Sequence, residues 1–272
     1  MADAGHPARA SIWSSPMNLD HVLVDRDADF VTITMNRPQR RNALSLAHLR
    51  DLITAFEATG DSDASGIILA GAGPVFSAGH DFADVAEADT EAVRTLLDTC
   101  LHLIELIESV PQPVIARVHA LATAAGCQLV ATCDLAVAAD TAGFAAPGGK
   151  GGWFCHTPMV AIARNVGRKR AAELAYTGDT ISAAQALEWG LVNRVVPADE
   201  LDAAVDDLLS RATRGSRASK ALGKRTLHQQ LSLPEADAYR LATKIMAESS
   251  QSAAAREGMS AFLSKRRPKW SD

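Results

Sequence analysis

Two short runs of small residues, each at the expected start of a helix, constrain this chain more than any other feature of its sequence. The first, Phe76-Ser77-Ala78-Gly79-His80-Asp81, follows an apolar strand-like run at 66–70, and the second is Ala124-Ala125-Gly126-Cys127-Gln128. Backbone N–H groups at the start of a helix have no partner within the helix and point outward. Two such loops can direct two N–H groups at one developing negative charge, which predicts a backbone anion hole.

Apolar runs of strand length alternate with amphipathic helices over most of the chain. Strands are predicted at 21–25, 30–35, 66–71, 113–119 and 134–139. Helices are predicted after the N-cap residue Ser45, from about residue 91 to before Pro111, and from the second run to about residue 132. This alternation is typical of an α/β fold whose parallel strands are joined by right-handed crossovers.

The two ends of the chain differ from this alternating part. Residues 1–18 have no periodicity and are expected to form a flexible tail, and from residue 199 the pattern is helical only. The residues expected to separate these helices are Gly215, Gly223 and Pro234. Apolar positions that need a partner surface include Leu201, Val205, Leu208 and Leu209. We therefore predict a core over 19–198 and a helical oligomerisation region over 199–272.

Composition excludes several classes of protein. The net charge of −5 argues against a nucleic-acid surface, which would show a basic excess. No apolar stretch reaches the ~18 residues that a membrane span needs, and the start of the chain lacks a signal-peptide pattern. The four cysteines have no metal-binding spacing and are expected to be free thiols in a reducing compartment. We expect a cytoplasmic protein that binds neither nucleic acid nor membrane and holds no metal ion.

A series of motifs, each weak alone, runs in a fixed order from about residue 21 to residue 270. They are Asn36-Arg37-Pro38, Asn42-Ala43-Leu44-Ser45, the two runs above, Pro113-Val114-Ile115-Ala116, Cys133-Asp134, Leu174-Ala175-Tyr176-Thr177-Gly178, Ile181-Ser182-Ala183, Gly190-Leu191-Val192-Asn193, Glu257-Gly258-Met259-Ser260-Ala261-Phe262 and Lys265-Arg266. In this order and spacing they resemble the crotonase superfamily of enoyl-CoA hydratases and isomerases. The second run, together with Phe154-Cys155-His156-Thr157-Pro158, is most similar to the enoyl-CoA hydratase domain-containing protein 3 branch.

The resemblance implies a spiral of repeated β-β-α turns followed by a helical trimerisation region, and hence a homotrimer or homohexamer. It also implies an acyl-CoA thioester bound by the core, with coenzyme A as part of the substrate and no separate cofactor. His80 and Ala125 fall where the superfamily has its two oxyanion N–H donors. Many hydratases have glycine at the positions of Ala124 and Ala125, and an alanine still donates there provided that its φ is negative.

The resemblance also marks substrate-binding positions. They are Arg41, Ala43, Ala78, Asp81, Ala124, Gly148, Phe262 and Lys265. Phe262 and Lys265 match positions that contact CoA, often from a neighbouring subunit, and Arg41, with Arg37 and Arg40, could meet the nucleotide phosphates. Two alternatives stay open: these basic residues are solvated charges, and Asp81 caps the helix that it begins.

The two glutamates that carry acid–base chemistry in hydratases of the superfamily are missing. Gln128 stands at the first position and Gly148 at the second. An amide can orient water but cannot transfer protons near neutral pH, and each proton-transfer role contributes ~10²–10⁴-fold to the rate. His156 is the alternative acid–base candidate because imidazole titrates near neutral pH, against a purely structural role. Gln128 and His156 therefore join His80 and Ala125 as catalytic candidates.

Two classes of function remain open at this point. The first is an enzyme of the enoyl-CoA hydratase/isomerase family that stabilises a thioester enolate, with ordinary hydration slow. The second is a non-catalytic acyl-CoA binding protein that kept the pocket and lost the chemistry. The Ser-Ala-Gly-His-Asp run also resembles acyl-CoA decarboxylases of the superfamily, and isomerase or hydrolase activity is a further alternative.

Overall fold

The computed structural model describes residues 19–270, so the predicted tail at 1–18 lies outside the described residues. The strands are β1 (Val22–Asp27), β2 (Phe30–Met35), β3 (Gly66–Gly71), β4 (Val114–Val118), β5 (Ala122–Thr123), β6 (Leu135–Ala139), β7 (Gly143–Ala145), β8 (Ile181–Ser182) and β9 (Arg194–Val196). The helices are α1 (Leu46–Gly60), α2 (Thr90–Ser109), α3 (Ala125–Thr132), α4 (His156–Val166), α5 (Arg168–Thr177), α6 (Ala183–Trp189), α7 (Leu201–Thr213), α8 (Arg217–Leu231), α9 (Glu235–Ser249) and α10 (Ala253–Leu263).

The strands form two sheets. The larger has the order β1-β2-β3-β4-β6-β9, in which β1 and β2 are an antiparallel hairpin and the other pairs are parallel. The smaller sheet has the order β5-β7-β8. Because helices connect the parallel strands, the predicted α/β fold is confirmed.

Local signals in the sequence account for the bounds of several elements. The hydroxyl of Ser45 accepts a hydrogen bond from the N–H of His48 at 3.2 Å and so caps α1. Asp89 caps α2 in the same way through the N–H of Ala92 at 2.8 Å. All six residues of β3 are buried, as expected for a parallel strand that is covered on both faces.

Helix α7 packs against the larger sheet of its own chain. Leu201, Val205 and Leu209 are buried there in one apolar cluster with residues of β3, β4 and β6. We expected these positions to pack against a partner surface in another subunit. That prediction is wrong for Leu201, Val205 and Leu209, because the sheet of the same chain covers them. Gly223 also differs from expectation, since it lies inside α8 and separates no helices. The division of the chain at residue 199 stays a prediction.

Helices α8 to α10 leave large apolar side chains exposed. These are Leu227, Leu231, Tyr239, Met246, Met259, Phe262 and Leu263. An ion pair anchors α8 to the core, because Lys224 Nζ lies 2.7 Å from Asp134 Oδ2 and also donates to the carbonyl oxygens of Ile107 at 2.8 Å and Gln112 at 3.0 Å. Within residues 19–270, every helix is too short or too polar to cross a membrane.

Candidate active site

The two runs of small residues form loops that lie side by side. The N–H of Thr123 donates to the carbonyl oxygen of Ser77 at 3.0 Å, and a Cβ on Gly126 would overlap that same carbonyl group. A Cβ on Gly79 would lie 2.8 Å from the Cβ of Ala124 and 3.0 Å from the backbone N of Ala125. The glycines therefore permit a backbone approach that any larger residue would prevent.

The hydrogen bonds of Leu44 set the direction of the N–H of His80. Leu44 donates to the carbonyl oxygen of Gly79 at 2.8 Å and accepts from the N–H of Asp81 at 3.1 Å. Successive residues of an extended backbone direct their polar groups to opposite sides, so the N–H of His80 points away from Leu44. Within the described residues this N–H donates no hydrogen bond to a protein group.

The second N–H belongs to Ala125, the first residue of α3. A residue at this position has no partner within the helix, and Ala125 donates to no other group among the described residues. The two free N–H groups thus belong to adjacent, contacting loops. An anion hole needs two donors of this kind.

Ala124 does not meet the condition of a negative φ that we set for an alanine donor. Its φ is 51° and its ψ is −121°, a left-handed conformation that favours glycine. Its N–H donates to the carbonyl oxygen of Ala145 at 2.9 Å, which holds the strained peptide in place and leaves Ala125 as the donor of this loop.

Gln128 lies one turn after Ala125 on the same face of α3, because residues three apart are neighbours on a helix. It is buried, and its Oε1 atom has no hydrogen-bond partner among the described residues. It lines a cavity of about 960 Å³ between α2, α3, α4 and α8. The apolar lining of this cavity includes Val93, Leu97, Ile104, Val160 and Leu231. A cavity of this size and lining fits a small-molecule ligand.

The residues after Gly148 fill the space where a side chain on that glycine would lie. A Cβ there would overlap the carbonyl oxygen of Trp153 and would lie 2.8 Å from the Sγ of Cys155. Trp153 also donates its N–H to the carbonyl oxygen of Gly148 at 3.0 Å, which closes the loop on itself. The position that we matched to the second glutamate therefore has no room for a carboxylate.

His156 is the first residue of α4 and is exposed. Its ring lies 5.0 Å from that of Phe154, centroid to centroid. Within the described residues, no hydrogen bond joins the His156 side chain to either loop. The structure therefore does not connect this candidate acid–base group to the two loops.

The side chain of His80 is neutral in the folded protein. Burial lowers the pKa of His80 to about 4, and its Nε2 atom has no hydrogen-bond partner among the described residues. Its ring centroid lies 6.1 Å from that of Trp153, which in turn contacts the exposed ring of Phe82. The unpartnered backbone N–H of His80 thus lies beside an uncharged ring.

Asp81 is engaged in structural contacts. It caps a short 3-10 helix by accepting from the N–H of Ala83 at 3.1 Å, as its alternative assignment predicts, and it pairs with Arg40 at 2.9 Å and Arg37 at 3.3 Å. Burial raises the pKa of Asp81, but the bonds from Ala83 and Arg40 and the two positive charges outweigh it and leave the pKa below its usual value. The two ion pairs thereby fix the positions of the Asp81 carboxylate and of both guanidinium groups.

The other predicted substrate-binding residues lie in two places. The carbonyl oxygen of Arg41 accepts from the N–H of Ala78 at 3.0 Å, and that of Ala43 accepts from Arg37 at 2.8 Å, so these three backbones lie beside the first loop. The exposed side chain of Phe262 lies on α10, and Lys265 follows that helix. Within the described chain, neither residue contacts the two loops. A role for Phe262 and Lys265 at the site would need a neighbouring subunit.

Asn42 is a structural residue of the site that our reading of the sequence did not single out. Its buried amide donates to the carbonyl oxygens of Ala72 at 2.8 Å, Val75 at 3.0 Å and Phe76 at 3.1 Å, and so fixes the segment leading into the first loop. The one sequence signal for this role was the position of Asn42 in the motif Asn42-Ala43-Leu44-Ser45. A buried amide that satisfies several loop carbonyls holds the backbone in one conformation.

The cysteines of the described chain are free and buried. They are Cys100, Cys127, Cys133 and Cys155. Burial raises the pKa of each thiol, to about 12 for Cys100 and Cys127, so these groups are protonated near neutral pH. Among residues 19–270, no group of three or more His, Cys, Asp or Glu side chains is arranged to hold a metal ion.

The mixed sheet and the paired loops define a protein of the crotonase fold. The sequence matches the enoyl-CoA hydratase/isomerase family over residues 25–272, and the chain belongs to that family. The predicted family is thereby confirmed.

Individual relatives support the same assignment. The chain is 44% identical over 241 residues to the mitochondrial enoyl-CoA hydratase domain-containing protein 3 of Rattus norvegicus, covering 88% of this chain and 80% of the relative. It is 33% identical over 262 residues to the 2,3-dehydroadipyl-CoA hydratase of Escherichia coli, covering 92% of this chain and 98% of the relative. The predicted similarity to the domain-containing protein 3 branch is confirmed.

Solved structures agree with these relatives. An enoyl-CoA hydratase of Mycobacterium smegmatis superposes with a TM-score of 0.89 at 45% identity, covering 93% of this chain and 99% of that one. The human enoyl-CoA hydratase domain-containing protein 3 superposes with a TM-score of 0.88 at 41% identity, covering 92% of this chain and 100% of that one.

The comparisons overturn one expectation. We expected a cytoplasmic protein from the absence of a recognisable targeting segment. The domain-containing protein 3 relatives from rat, mouse, frog, human and zebrafish are all named as mitochondrial. The cytoplasmic prediction is therefore wrong, because composition and a missing secretory signal do not report on organelle targeting.

Proposed function

We propose that this protein is an acyl-CoA thioester enzyme that stabilises a thioester enolate between the N–H groups of His80 and Ala125. The observation that carries the proposal is the contact between the two loops, each of which contributes an N–H with no hydrogen-bond partner among residues 19–270. A donor of this kind contributes ~2.7–4 kcal/mol to the stabilisation of a developing oxyanion. We place the acyl group in the cavity that Gln128 lines, one helical turn after Ala125.

The same site is poorly suited to hydration of an enoyl thioester. Hydration needs one group to activate water and another to deliver a proton. Gln128 has no titratable group, and the space beside Gly148 is filled by the backbone of Trp153. We therefore expect crotonyl-CoA to be hydrated slowly, with a loss of up to ~10⁴-fold or more relative to an enzyme with both carboxylates.

A non-catalytic acyl-CoA binding protein is the second candidate, and the absence of side-chain carboxylates at positions 128 and 148 favours it. Both candidates predict that CoA thioesters bind and that the corresponding free acids bind far more weakly. Calorimetry with a saturated acyl-CoA and its free acid tests this shared expectation. Equal affinities for acid and thioester would refute both.

Enolate formation separates the two candidates. A β-ketoacyl-CoA is acidic at Cα, and its enolate absorbs in the near ultraviolet, so an anion hole lowers the pH at which that absorption appears. We expect this shift with the protein in molar excess over acetoacetyl-CoA. Binding without any shift would identify a binding protein.

One backbone donor can be removed by substitution. Proline lacks the backbone N–H, and at the first position of a helix this loss breaks no helical hydrogen bond. Ala125→Pro should therefore abolish most of the shift in enolate absorption. The matched control is Ala253→Pro, which makes the same change at the first residue of α10 and should leave the shift unchanged. Circular dichroism verifies that both variants fold.

We also propose that the functional unit is a homotrimer or homohexamer. The exposed apolar side chains of α8 to α10 need cover, and Phe262 is 83% exposed in the single chain. Assembly would also explain how Phe262 and Lys265 approach a CoA bound by a neighbouring subunit.

A further inference from the structure

An ion pair between Asp134 and Lys224 joins α8 to the core, outside the two loops. The Nζ atom of Lys224 lies 2.7 Å from Asp134 Oδ2 and donates to the carbonyl oxygens of Ile107 at 2.8 Å and Gln112 at 3.0 Å. These three contacts use all three hydrogens of the ammonium group. The same oxygen of Asp134 accepts from the N–H of Val114 at 2.7 Å. Asp134 therefore ties the starts of β4 and β6 to the helix.

Polar contacts attach α8 to the core. Every residue of α8 is described, and none of its apolar residues is buried, whereas the side chain of Lys224 is only 8% exposed. At the start of the helix, Arg217 donates to the carbonyl oxygens of Asp63 at 2.7 Å and Ser62 at 3.3 Å. A helix with few buried apolar contacts belongs to the less stable parts of a fold. The loss of a polar anchor should therefore displace α8.

The same helix forms one wall of the cavity that Gln128 lines. His228 and Leu231 of α8 line this cavity together with Ile104 of α2. Lys224, His228 and Leu231 follow one another at intervals of four and three positions, so they lie on one face of α8. The residue that anchors the helix is therefore on the face that closes the cavity.

His228 is a second partner of the same carboxylate. Its Nε2 atom lies 3.6 Å from Asp134 Oδ1, so a protonated His228 adds to the attraction of Lys224. Burial raises the pKa of Asp134, but the contacts with His228, Lys224 and the N–H of Val114 outweigh it and leave the pKa below its usual value. The other charged residues that line the cavity are Arg94, Asp98, Glu105, Glu108 and Arg164. Within residues 19–270, none of these and no charged residue of α9 or α10 forms an ion pair with His228.

We infer that Asp134 and Lys224 are positioning residues for acyl binding, because their ion pair holds α8 where it fits the cavity to a long acyl group. The inference rests on the proposed function, which places the acyl group in this cavity. Neither residue touches the acyl group in this arrangement, and both act through His228 and Leu231. An acetyl group is too short to span the cavity, so its binding should not depend on the pair.

The first test compares octanoyl-CoA with acetyl-CoA by calorimetry in the native protein and in Lys224→Met. Methionine keeps much of the side chain and removes the charge, which leaves the buried Asp134 without its main partner. Affinity for octanoyl-CoA should fall by roughly tenfold or more, while that for acetyl-CoA should stay within about twofold. The matched control is Lys220→Met, one turn earlier on α8, where the lysine forms no ion pair among residues 19–270. An equal loss for both thioesters, or no loss for either, would overturn the inference.

The pH profile separates positioning from a general loss of stability. In Lys224→Met, His228 is the cation that remains beside Asp134 in the described chain, and a histidine gains its charge as the pH falls from 8 to about 5.5. The renewed pairing should raise the affinity of Lys224→Met for octanoyl-CoA by roughly threefold or more, beyond any change in the native protein. The double variant Lys224→Met with His228→Gln should show no such recovery. A flat profile in Lys224→Met, or the same recovery in the double variant, would overturn the inference.

Two further variants keep the test decisive. Lys224→Arg retains the charge and should retain most of the affinity for octanoyl-CoA. If Lys224→Met does not fold, Asp134→Asn makes the same comparison, because its amide can still accept from the N–H of Val114 but carries no charge. Failure of every thioester to bind the native protein would overturn the proposed function as well. Binding of octanoyl-CoA that is the same in the native protein and in the uncharged variants would overturn this inference alone.

Discussion

The carbonyl oxygen of Trp153 occupies the space that a Cβ on Gly148 would need. Trp153 donates its own N–H back to the carbonyl oxygen of Gly148 at 3.0 Å, so the two residues close a tight loop. The position that the resemblance matches to a catalytic glutamate is here part of the backbone packing. Replacing Gly148 by glutamate is therefore not a route to a working hydratase.

Gly148→Ala should destabilise the protein. The added methyl group would overlap a backbone atom that cannot move independently, and overpacking of this kind costs about 1–3 kcal/mol of unfolding free energy. Urea unfolding measures the change. Gly151→Ala is the matched control in the same loop, because its Cβ would meet its nearest neighbour at an ordinary 3.7 Å. Equal losses in the two variants would contradict the steric explanation.

Ala124→Gly should stabilise the protein by about 1 kcal/mol. The left-handed backbone of Ala124 costs about 1–3 kcal/mol, and glycine removes that strain while adding about 0.4–1 kcal/mol of unfolded-state entropy. The same change at Ala131, in the helical part of α3, should instead lower the unfolding free energy by about 1 kcal/mol. Thermal unfolding of both variants tests the difference in sign. A loss of stability in Ala124→Gly would mean that the strain is not relieved there.

His48 should make the fold sensitive to acid. Burial lowers its pKa from 6.5 to about 4, although its Nδ1 lies 3.1 Å from the carbonyl oxygen of Ala43. Above pH 6.5 the ring is neutral in both states. As the pH falls toward 4, the unfolded chain binds a proton that the folded chain does not, so the unfolding free energy falls by up to about 1.4 kcal/mol per pH unit.

His48→Leu should reduce this slope in urea unfolding between pH 7 and pH 5. His80 has the same direction of shift, so part of the slope should remain. His102→Leu is the control, because His102 is an exposed residue of α2. An unchanged slope in His48→Leu would show that other groups carry the acid sensitivity.

The assembled mass should be three or six times the 28.7 kDa of one chain. Light scattering at micromolar concentration measures it. The double variant Phe262→Glu with Leu263→Glu places charges on the exposed apolar face of α10 and should shift the mass toward the monomer. Leu23→Glu, which makes the same kind of change at an exposed position of the edge strand β1, should not. A monomeric native protein would refute the proposed assembly.

The sequence by itself determined the elements whose signals are local. The strands at 30–35 and 66–71 and the cap at Ser45 follow from residues within a few positions of each other, so pattern and capping chemistry suffice to place them. The two small-residue loops were found in the same way. Their order along the chain, with the other motifs, was enough to identify the family.

The contacts between these local elements are visible only in the folded chain. The left-handed conformation of Ala124 depends on a hydrogen bond to Ala145, 21 positions along the chain. The blocked space at Gly148 depends on the path of the loop through Trp153, and the apolar face of α7 is covered by strands more than 60 residues away. At Ala124 and α7 the deciding contact joins residues far apart in the sequence, and at Gly148 it depends on the path of a short loop that has no periodic pattern. Sequence periodicity shows which face is apolar, but only packing shows which surface covers it.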